Sequence, residues 1–120
     1  MQFYSISRFK KIKKMNFMDL DITSVEIERL LTEIHGSPLE NINFARTDLS
    51  EVSPDLLASA VKILTSVNLD KTGLTTDQCI KLLEASLSST TLVALDLRGV
   101  ILSGVPRNLL AITVKRLKCK

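Results

Sequence analysis

The chain contains 120 residues, of which 45% are hydrophobic and 24% charged, and its net charge is +3 at pH 7. This balance excludes an intrinsically disordered chain and provides enough apolar material for the core of one domain. No apolar stretch reaches the roughly 18–20 residues of a membrane span, and the polar, charged start of the chain lacks the apolar run of a signal peptide. With only two cysteines, a disulfide framework is not expected, so the sequence predicts a cytoplasmic protein.

The apolar residues recur with a fixed spacing along the chain. Four segments fit the pattern L-x-x-L-x-L-x-x-x-x-L and a fifth copy opens close to the last residue; the copies start at Ile12, Leu39, Leu64, Leu92 and Leu117. Starts separated by 25–28 residues are typical of solenoids built from one repeated unit. We therefore predict a repeat domain over residues 12–120, with residues 1–11 as a basic lead-in or rudimentary cap.

Each repeat predicts a short strand followed by a helix. Its L-x-L segment alternates like a strand with one buried face, and the residues after it have a period near 3.6. Helix starts carry N-cap signals, the first and third of them capping boxes: Thr23-x-x-Glu26, Ser53-Pro54 and Thr75-x-x-Gln78. The residues predicted to face the core on the four helices are Leu30, Leu31 and Ile34; Leu56, Leu57 and Val61; Leu82, Leu83 and Leu87; and Leu109, Leu110 and Val114.

A longer period connects alternate repeats. A shift of 53 residues superimposes Leu56-Leu57-Ala58 on Leu109-Leu110-Ala111, and a shift of 52 residues superimposes Leu30-Leu31 on Leu82-Leu83. The sequence therefore indicates that the duplicated unit is a pair of repeats, one long and one short.

With these repeats the sequence resembles the leucine-rich repeat family over about residues 12–120. The repeat length and the full helix in each repeat are most similar to the ribonuclease-inhibitor subtype. The resemblance implies an α/β solenoid, a short right-handed arc with a parallel sheet on its concave side and helices on its convex side. The family often places Asn, Cys or Thr at the ninth repeat position, where the side chain bonds backbone groups of the turn. Here that position holds Leu20, Thr47, Thr72 and Val100, so we expect less regular turns where it is Leu or Val.

Catalytic chemistry finds no support in the sequence. The only histidine, His35, is expected in a surface loop, and Cys79 is expected as a small buried hydrophobe on the third helix. Cys119 is expected on the concave side between two lysines, where nearby cations would make its thiol more reactive. The spacing of histidine and cysteines builds no zinc site. We therefore predict no enzymatic activity, no cofactor, no metal and no small-molecule substrate.

Binding to another protein is the function that the repeat predicts best. Residues between the buried strand positions point out of the concave sheet and form rows of side chains on rigid strands, which suits recognition of a protein surface. The fifth repeat position forms a polar row of three asparagines and one aspartate. The predicted partner-binding residues are Asn16, Met18, Asn43, Arg46, Asn68, Asp70, Lys71, Asp96 and Arg98. The chain is therefore interpreted as an interaction module or scaffold whose partner is another protein.

The charge distribution admits a different class of partner. Residues 1–14 carry five basic and no acidic residues, residues 97–120 carry six basic and no acidic residues, and all 13 acidic residues lie between them. Basic ends could attract nucleic acid or an anionic membrane. We interpret them instead as polar edges of the solenoid that limit self-association, so nucleic acid and membrane are not the expected partners. The sequence also leaves open edge-to-edge self-association, solvated strand positions without a partner, and a role only as part of a larger repeat receptor.

Overall fold

Short strands alternate with helices along the chain. A computed structural model describes residues 12–19, 21–35 and 38–119, the side chains of the last two excepted. The elements in chain order are β1 (Lys14–Asn16), α1 (Ser24–Glu33), β2 (Asn41–Asn43), α2 (Pro54–Ile63), β3 (Ser66–Asn68), α3 (Thr76–Ser88), β4 (Ala94–Asp96), α4 (Arg107–Arg116) and β5 (Lys118–Cys119). The predicted lead-in at residues 1–11 lies outside the described residues. One strand with the helix that follows it is called a coil below.

The strands form one parallel sheet in the order β1-β2-β3-β4-β5. From β1 to β4 the pairing keeps the repeat in phase, since Met15, Ile42, Val67 and Leu95 stand side by side at the centres of their strands. Three of these central side chains are buried and that of Met15 is partly buried. The flanking residues of each strand are more exposed, and the helices cover the other side of the core. The predicted α/β architecture with a parallel sheet is confirmed.

Aliphatic side chains fill the core, as the low aromatic content requires. The aromatic rings of Phe17 and Phe44 stack at the ends of the first two strands, with 5.5 Å between their centroids. Elsewhere the core is a continuous set of leucines, isoleucines and valines shared between neighbouring coils. Burial of each such side chain stabilises the fold by about 1.5–3 kcal/mol, and since most of that burial is against a neighbouring coil, a single coil would not fold alone.

The capping boxes predicted for α1 and α3 are both present. The Thr75 hydroxyl accepts the Gln78 N–H at 3.2 Å, and the Gln78 carboxamide oxygen accepts the Thr75 N–H at 2.8 Å. The prediction that Ser53 caps α2 through its side chain is wrong. Its backbone N–H donates instead to Glu28 Oε2 on the preceding helix at 2.8 Å, so that carboxylate supplies the negative charge that a helix N-terminus favours.

The paired-repeat period is visible in the helices. α2 and α4 have the same length and are separated by 53 residues, as the shift predicted. Val114, however, was predicted to face the core and is 60% exposed, whereas its counterpart Val61 is 3% exposed. The reason is that α3 packs over Val61, while within the described residues no helix follows α4.

The pairing of β5 departs from the predicted phase by one residue. Ala94 pairs with Lys118 and Leu95 pairs with Cys119, whereas the repeat pattern placed Cys119 beside Ala94. The two helix ends explain the difference. Leu64 closes α2 with a tight N–H bond to the Val61 carbonyl, whereas Leu117 closes α4 with a wider bond to the Thr113 carbonyl. The prediction of a concave position for Cys119 is therefore wrong by its register.

The ninth repeat position behaves differently in each coil. Thr47 donates its hydroxyl to the Phe17 carbonyl of the preceding coil at 2.6 Å, while Thr72 donates to the Leu69 carbonyl of its own turn at 2.8 Å. Val100 has only its backbone N–H bond to the Leu97 carbonyl. The turns are thus less regular at valine than at threonine, and Leu20 lies outside the described residues.

Candidate functional site

The predicted binding residues of the fifth repeat position form one row across the sheet. The register places Asn16 beside Asn43, Asn43 beside Asn68, and Asn68 beside Asp96. Adjacent strands of a sheet lie about 4.8 Å apart, so the row presents one polar group at each such interval. We call these four residues the amide row.

Each member of the amide row accepts a hydrogen bond from the backbone two residues further on. The distances from the receiving Oδ1 atoms are 2.9 Å to Met18 N, 2.9 Å to Ala45 N, 3.0 Å to Asp70 N and 3.1 Å to Arg98 N. This is the Asx turn that Asn and Asp side chains form, and it ends each strand in the same way. The uniformity of the row therefore has a structural cause.

The same bonds fix what the row can offer to a partner. Because Oδ1 of each asparagine is engaged by the backbone, its Nδ2 amide group is turned away from the turn. Among the described residues no acceptor is bonded to Nδ2 of Asn16, Asn43 or Asn68. Three oriented hydrogen-bond donors thus stand in line on rigid strands, whereas Asp96 continues the row with an acidic group.

The residues after these turns adopt a left-handed backbone conformation in every coil. Asp19, Arg46, Lys71 and Gly99, at the eighth repeat position, have φ values of 61°, 61°, 54° and 72°. For a residue with a side chain this conformation costs about 1–2 kcal/mol, which the Asx turn and the inter-coil hydrogen bonds offset. Sequence reasoning missed this feature, although Gly99 and Asp19 are residue types that favour it.

Ion pairs connect the edge of the concave face to the amide row. Arg46 Nη2 lies 3.1 Å from Asp19 Oδ2 and 3.4 Å from Met18 Sδ, so the guanidinium reaches back to the preceding coil. Arg98 Nη2 lies 2.8 Å from Asp96 Oδ2, and this carboxylate raises the pKa of Arg98 by hydrogen bonding and by its charge. Both pairs are solvent-exposed enough that they orient side chains more than they stabilise the fold.

A shallow depression of about 290 Å³ lies over the first three strands. Its lining includes three members of the amide row together with Lys14, Asn41 and Ser66. These last three residues precede the buried strand centres at the third repeat position, and sequence reasoning did not include them. The signal that could have found them was the strand alternation itself, because both neighbours of a buried centre face the same side.

The remaining predicted site residues lie near the row without joining it. Lys71 is exposed and lies against Gly99, where an added Cβ would come within 2.5 Å of Lys71 Cγ. Asp70 is partly buried, and its carboxylate oxygen would lie 3.3 Å from the same Cβ. The nine predicted residues are thus spread along one edge of the sheet and form no enclosed pocket.

The groups that could carry reactive chemistry do not converge. His35 is exposed in the turn after α1. Cys79 is fully buried, and that burial raises the pKa of its thiol, which makes it unreactive. Within the described ranges no group of three or more His, Cys, Asp or Glu side chains could hold a metal ion. The same residues include no helix with the length and apolarity to cross a membrane.

One of the basic residues near the C-terminal end has a structural role that the sequence did not reveal. The guanidinium of Arg116 donates to the Ser86 carbonyl at 2.6 Å and also to the Ser89 carbonyl. These carbonyls end α3, where a cation complements the negative end of the helix dipole. Arg116 is therefore committed to the neighbouring coil and is not a spare charge for nucleic acid or lipid.

Comparison with known proteins supports the fold through structure and not through sequence. No protein-family model matches the chain, and no curated protein matches it. Among solved structures it is similar to the C-terminal domain of tropomodulin from Caenorhabditis elegans, with a TM-score of 0.75 over 96% of this chain and 78% of that one. The chain has a leucine-rich-repeat-like fold. At 16% identity this similarity is one of fold alone.

Proposed function

We propose that the chain is a non-enzymatic protein-interaction module that binds another protein through the concave face of its sheet. Its repeat region spans residues 12–120, after a lead-in at residues 1–11, and is of the ribonuclease-inhibitor-like subtype. Its place of action is the cytoplasm. The binding residues are the amide row with Met18, Arg46, Asp70, Lys71 and Arg98.

The orientation of the amide row supports this proposal. Three Nδ2 donors are held in place before any partner arrives, so binding does not have to order them, and that lowers the entropic cost of association. Lys14 adds a cation to the same depression. A surface rich in donors is complementary to a segment rich in acceptors, such as exposed carbonyl groups or carboxylates of a partner protein.

The test uses a substitution that keeps the turn and removes the donor. In Asn43→Asp combined with Asn68→Asp, Oδ1 still accepts the backbone N–H, as Asp96 does naturally, but Nδ2 is lost. We expect the double variant to keep its thermal stability and to bind its partner at least about tenfold more weakly, since two charge-complementary hydrogen bonds are replaced by repulsion.

The matched control places the same two charges on the convex side. Ser59→Asp combined with Ser88→Asp changes two exposed helix residues and should leave binding unchanged. Partners are captured on the wild-type chain by crosslinking, and each one is then measured by calorimetry against all three proteins. Equal affinity of every partner for the wild type and the amide-row variant would refute the concave-face proposal.

A further inference from the structure

An apolar surface lies at the C-terminal end of the stack, beside the last helix. It is formed by Ile101, Leu102, Leu110, Ile112 and Val114, and we call it the C-terminal face. Ile101 is 75% exposed, Val114 60% and Ile112 52%, while Leu102 and Leu110 are partly exposed. Apolar side chains at such exposures, clustered on one face, are typical of surfaces that another element covers.

The same surface occurs inside the stack, where it is covered. Leu49, Leu57 and Val61 are the counterparts of Leu102, Leu110 and Val114 at the 53-residue shift. They are 0%, 2% and 3% exposed. The difference arises because α3 packs on α2 more extensively than any other pair of elements in the fold. The fold therefore shows which kind of element fits this surface, namely a helix that packs as α3 does.

Hydrogen bonds make that fit more specific. The Gln78 carboxamide at the third position of α3 donates to the Leu49 carbonyl at 2.7 Å and to the Val52 carbonyl at 2.6 Å. The corresponding carbonyls at the C-terminal face belong to Leu102 and Val105. In the described part of the chain no side chain occupies the place of Gln78 there, because no helix follows α4. A covering helix thus needs a carboxamide in its first turn.

Two positions of the C-terminal face are more apolar than an uncovered coil requires. Ile101 and Ile112 replace Asp48 and Ser59, which are exposed polar residues in the second coil. An isoleucine exposed in place of a polar residue has no role in the packing of its own coil. These two side chains enlarge the apolar surface beyond what duplication of the second coil would have produced.

Charge distinguishes the covering helix from α3 itself. Inside the stack, Lys81 of α3 pairs with Asp55 of α2 at 2.9 Å. The counterpart of Asp55 is Asn108, and Arg107 precedes it, so the C-terminal face offers a cation where α2 offers an acid. A helix with an acidic residue at the position of Lys81 is therefore complementary.

A second copy of this chain is a poor occupant. If α1 of another copy packed there, its third position would present Glu26, and a carboxylate cannot donate to the carbonyls that Gln78 serves. Head-to-tail association of identical chains is therefore disfavoured. We propose that the C-terminal face docks an amphipathic helix of a partner protein, with glutamine at its third position and an acidic residue three positions later.

The probe for this proposal is a stapled peptide of residues 74–92 with Cys79→Ala and Lys81→Glu. Its staple joins positions 84 and 88, which are exposed in α3, and holds the short peptide helical. Fluorescence anisotropy measures binding of the labelled peptide to the full chain. We expect saturable binding, weakened at least about tenfold by Val114→Asp, since this variant buries an unpaired charge in the complex.

Two controls separate docking from nonspecific adhesion. Val25→Asp changes a valine that is 73% exposed on α1 and should bind the peptide like the wild type. A peptide with Gln78→Glu should bind at least about tenfold more weakly, because it lacks the two donors. The amide-row variant should bind the peptide normally, so that failure of this proposal is distinct from failure of the concave-face function.

Three results would overturn the docking proposal. The first is no saturable binding up to about 1 mM peptide, the weakest affinity usually regarded as specific. The second is equal weakening by Val25→Asp and Val114→Asp. The third is concentration-dependent dimerisation of the wild type, seen by light scattering and abolished by Val114→Asp, because that would make a second copy the occupant.

Discussion

Gln78 is the side chain whose loss the structure allows us to predict in most detail. It is 1% exposed, its oxygen accepts the Thr75 N–H, and its Nε2 donates to the Leu49 and Val52 carbonyls. It therefore closes the first turn of α3 and joins that helix to the coil before it. In Gln78→Glu the capping acceptor remains, while both donors to the neighbouring coil disappear.

The expected cost follows from these bonds. Each unsatisfied buried carbonyl costs about 1–3 kcal/mol, but the Leu49 carbonyl also accepts the Val52 N–H and is not left empty. The new carboxylate in addition lies against two carbonyl oxygens. We therefore expect the free energy of unfolding to fall by about 2–4 kcal/mol, measured by urea denaturation with circular dichroism at pH 7.

The matched variant is Glu26→Gln, which makes the reverse exchange at the equivalent position of α1. Its capping box is retained, and we expect the free energy of unfolding to change by less than about 0.5 kcal/mol. A loss below about 1 kcal/mol in Gln78→Glu, or equal effects of the two exchanges, would refute the argument that the carboxamide joins the coils.

Three further predictions use other local features. Gly99→Ala should destabilise the fold by about 1–2 kcal/mol in urea denaturation, because φ is positive and its Cβ would collide with Lys71; a smaller cost in the Lys71→Ala background is expected, and an unchanged cost would exclude the collision. Cys79 should resist alkylation in the native state, as followed by site-resolved mass spectrometry. Since burial raises the pKa of its thiol, the free energy of unfolding should decrease as pH rises above the ordinary value of 9.0, and Cys79→Ala should remove that decrease. Arg116→Ala should lower the free energy of unfolding by about 1 kcal/mol through the two carbonyls at the end of α3, whereas Lys115→Ala should not; equal melting temperatures of these two variants would contradict that role.

Features that depend on neighbours along the chain were predictable. The strands recur at the expected spacing, and the capping boxes of α1 and α3 form as their residue types require. Such features depend on hydrogen bonds between residues two to four positions apart, so a local pattern contains the information. Ser53 shows the limit, because its helix N-terminus is served by Glu28, which lies 25 positions earlier.

The candidate site was predictable in its location and not in its chemistry. The repeat pattern aligned the asparagines of the amide row, and the register confirms that alignment from β1 to β4. Their commitment to backbone N–H groups, which leaves only Nδ2 for a partner, depends on side-chain rotamers. The left-handed residues at the eighth position depend in the same way on turn geometry that composition alone does not specify.

The repeat spacing of leucines determined the α/β solenoid and the order of its elements, because burial of alternate side chains admits only one phase per strand. Only the tertiary structure decided what happens between coils. Arg116 and Gln78 have ordinary sequence contexts, yet each bonds carbonyls 26–30 residues away. Val61 and Val114 occupy equivalent positions, yet one is buried and the other exposed. The physical reason is that a solenoid residue is covered by the next coil, and whether that neighbour is present is not encoded in the residue's own repeat.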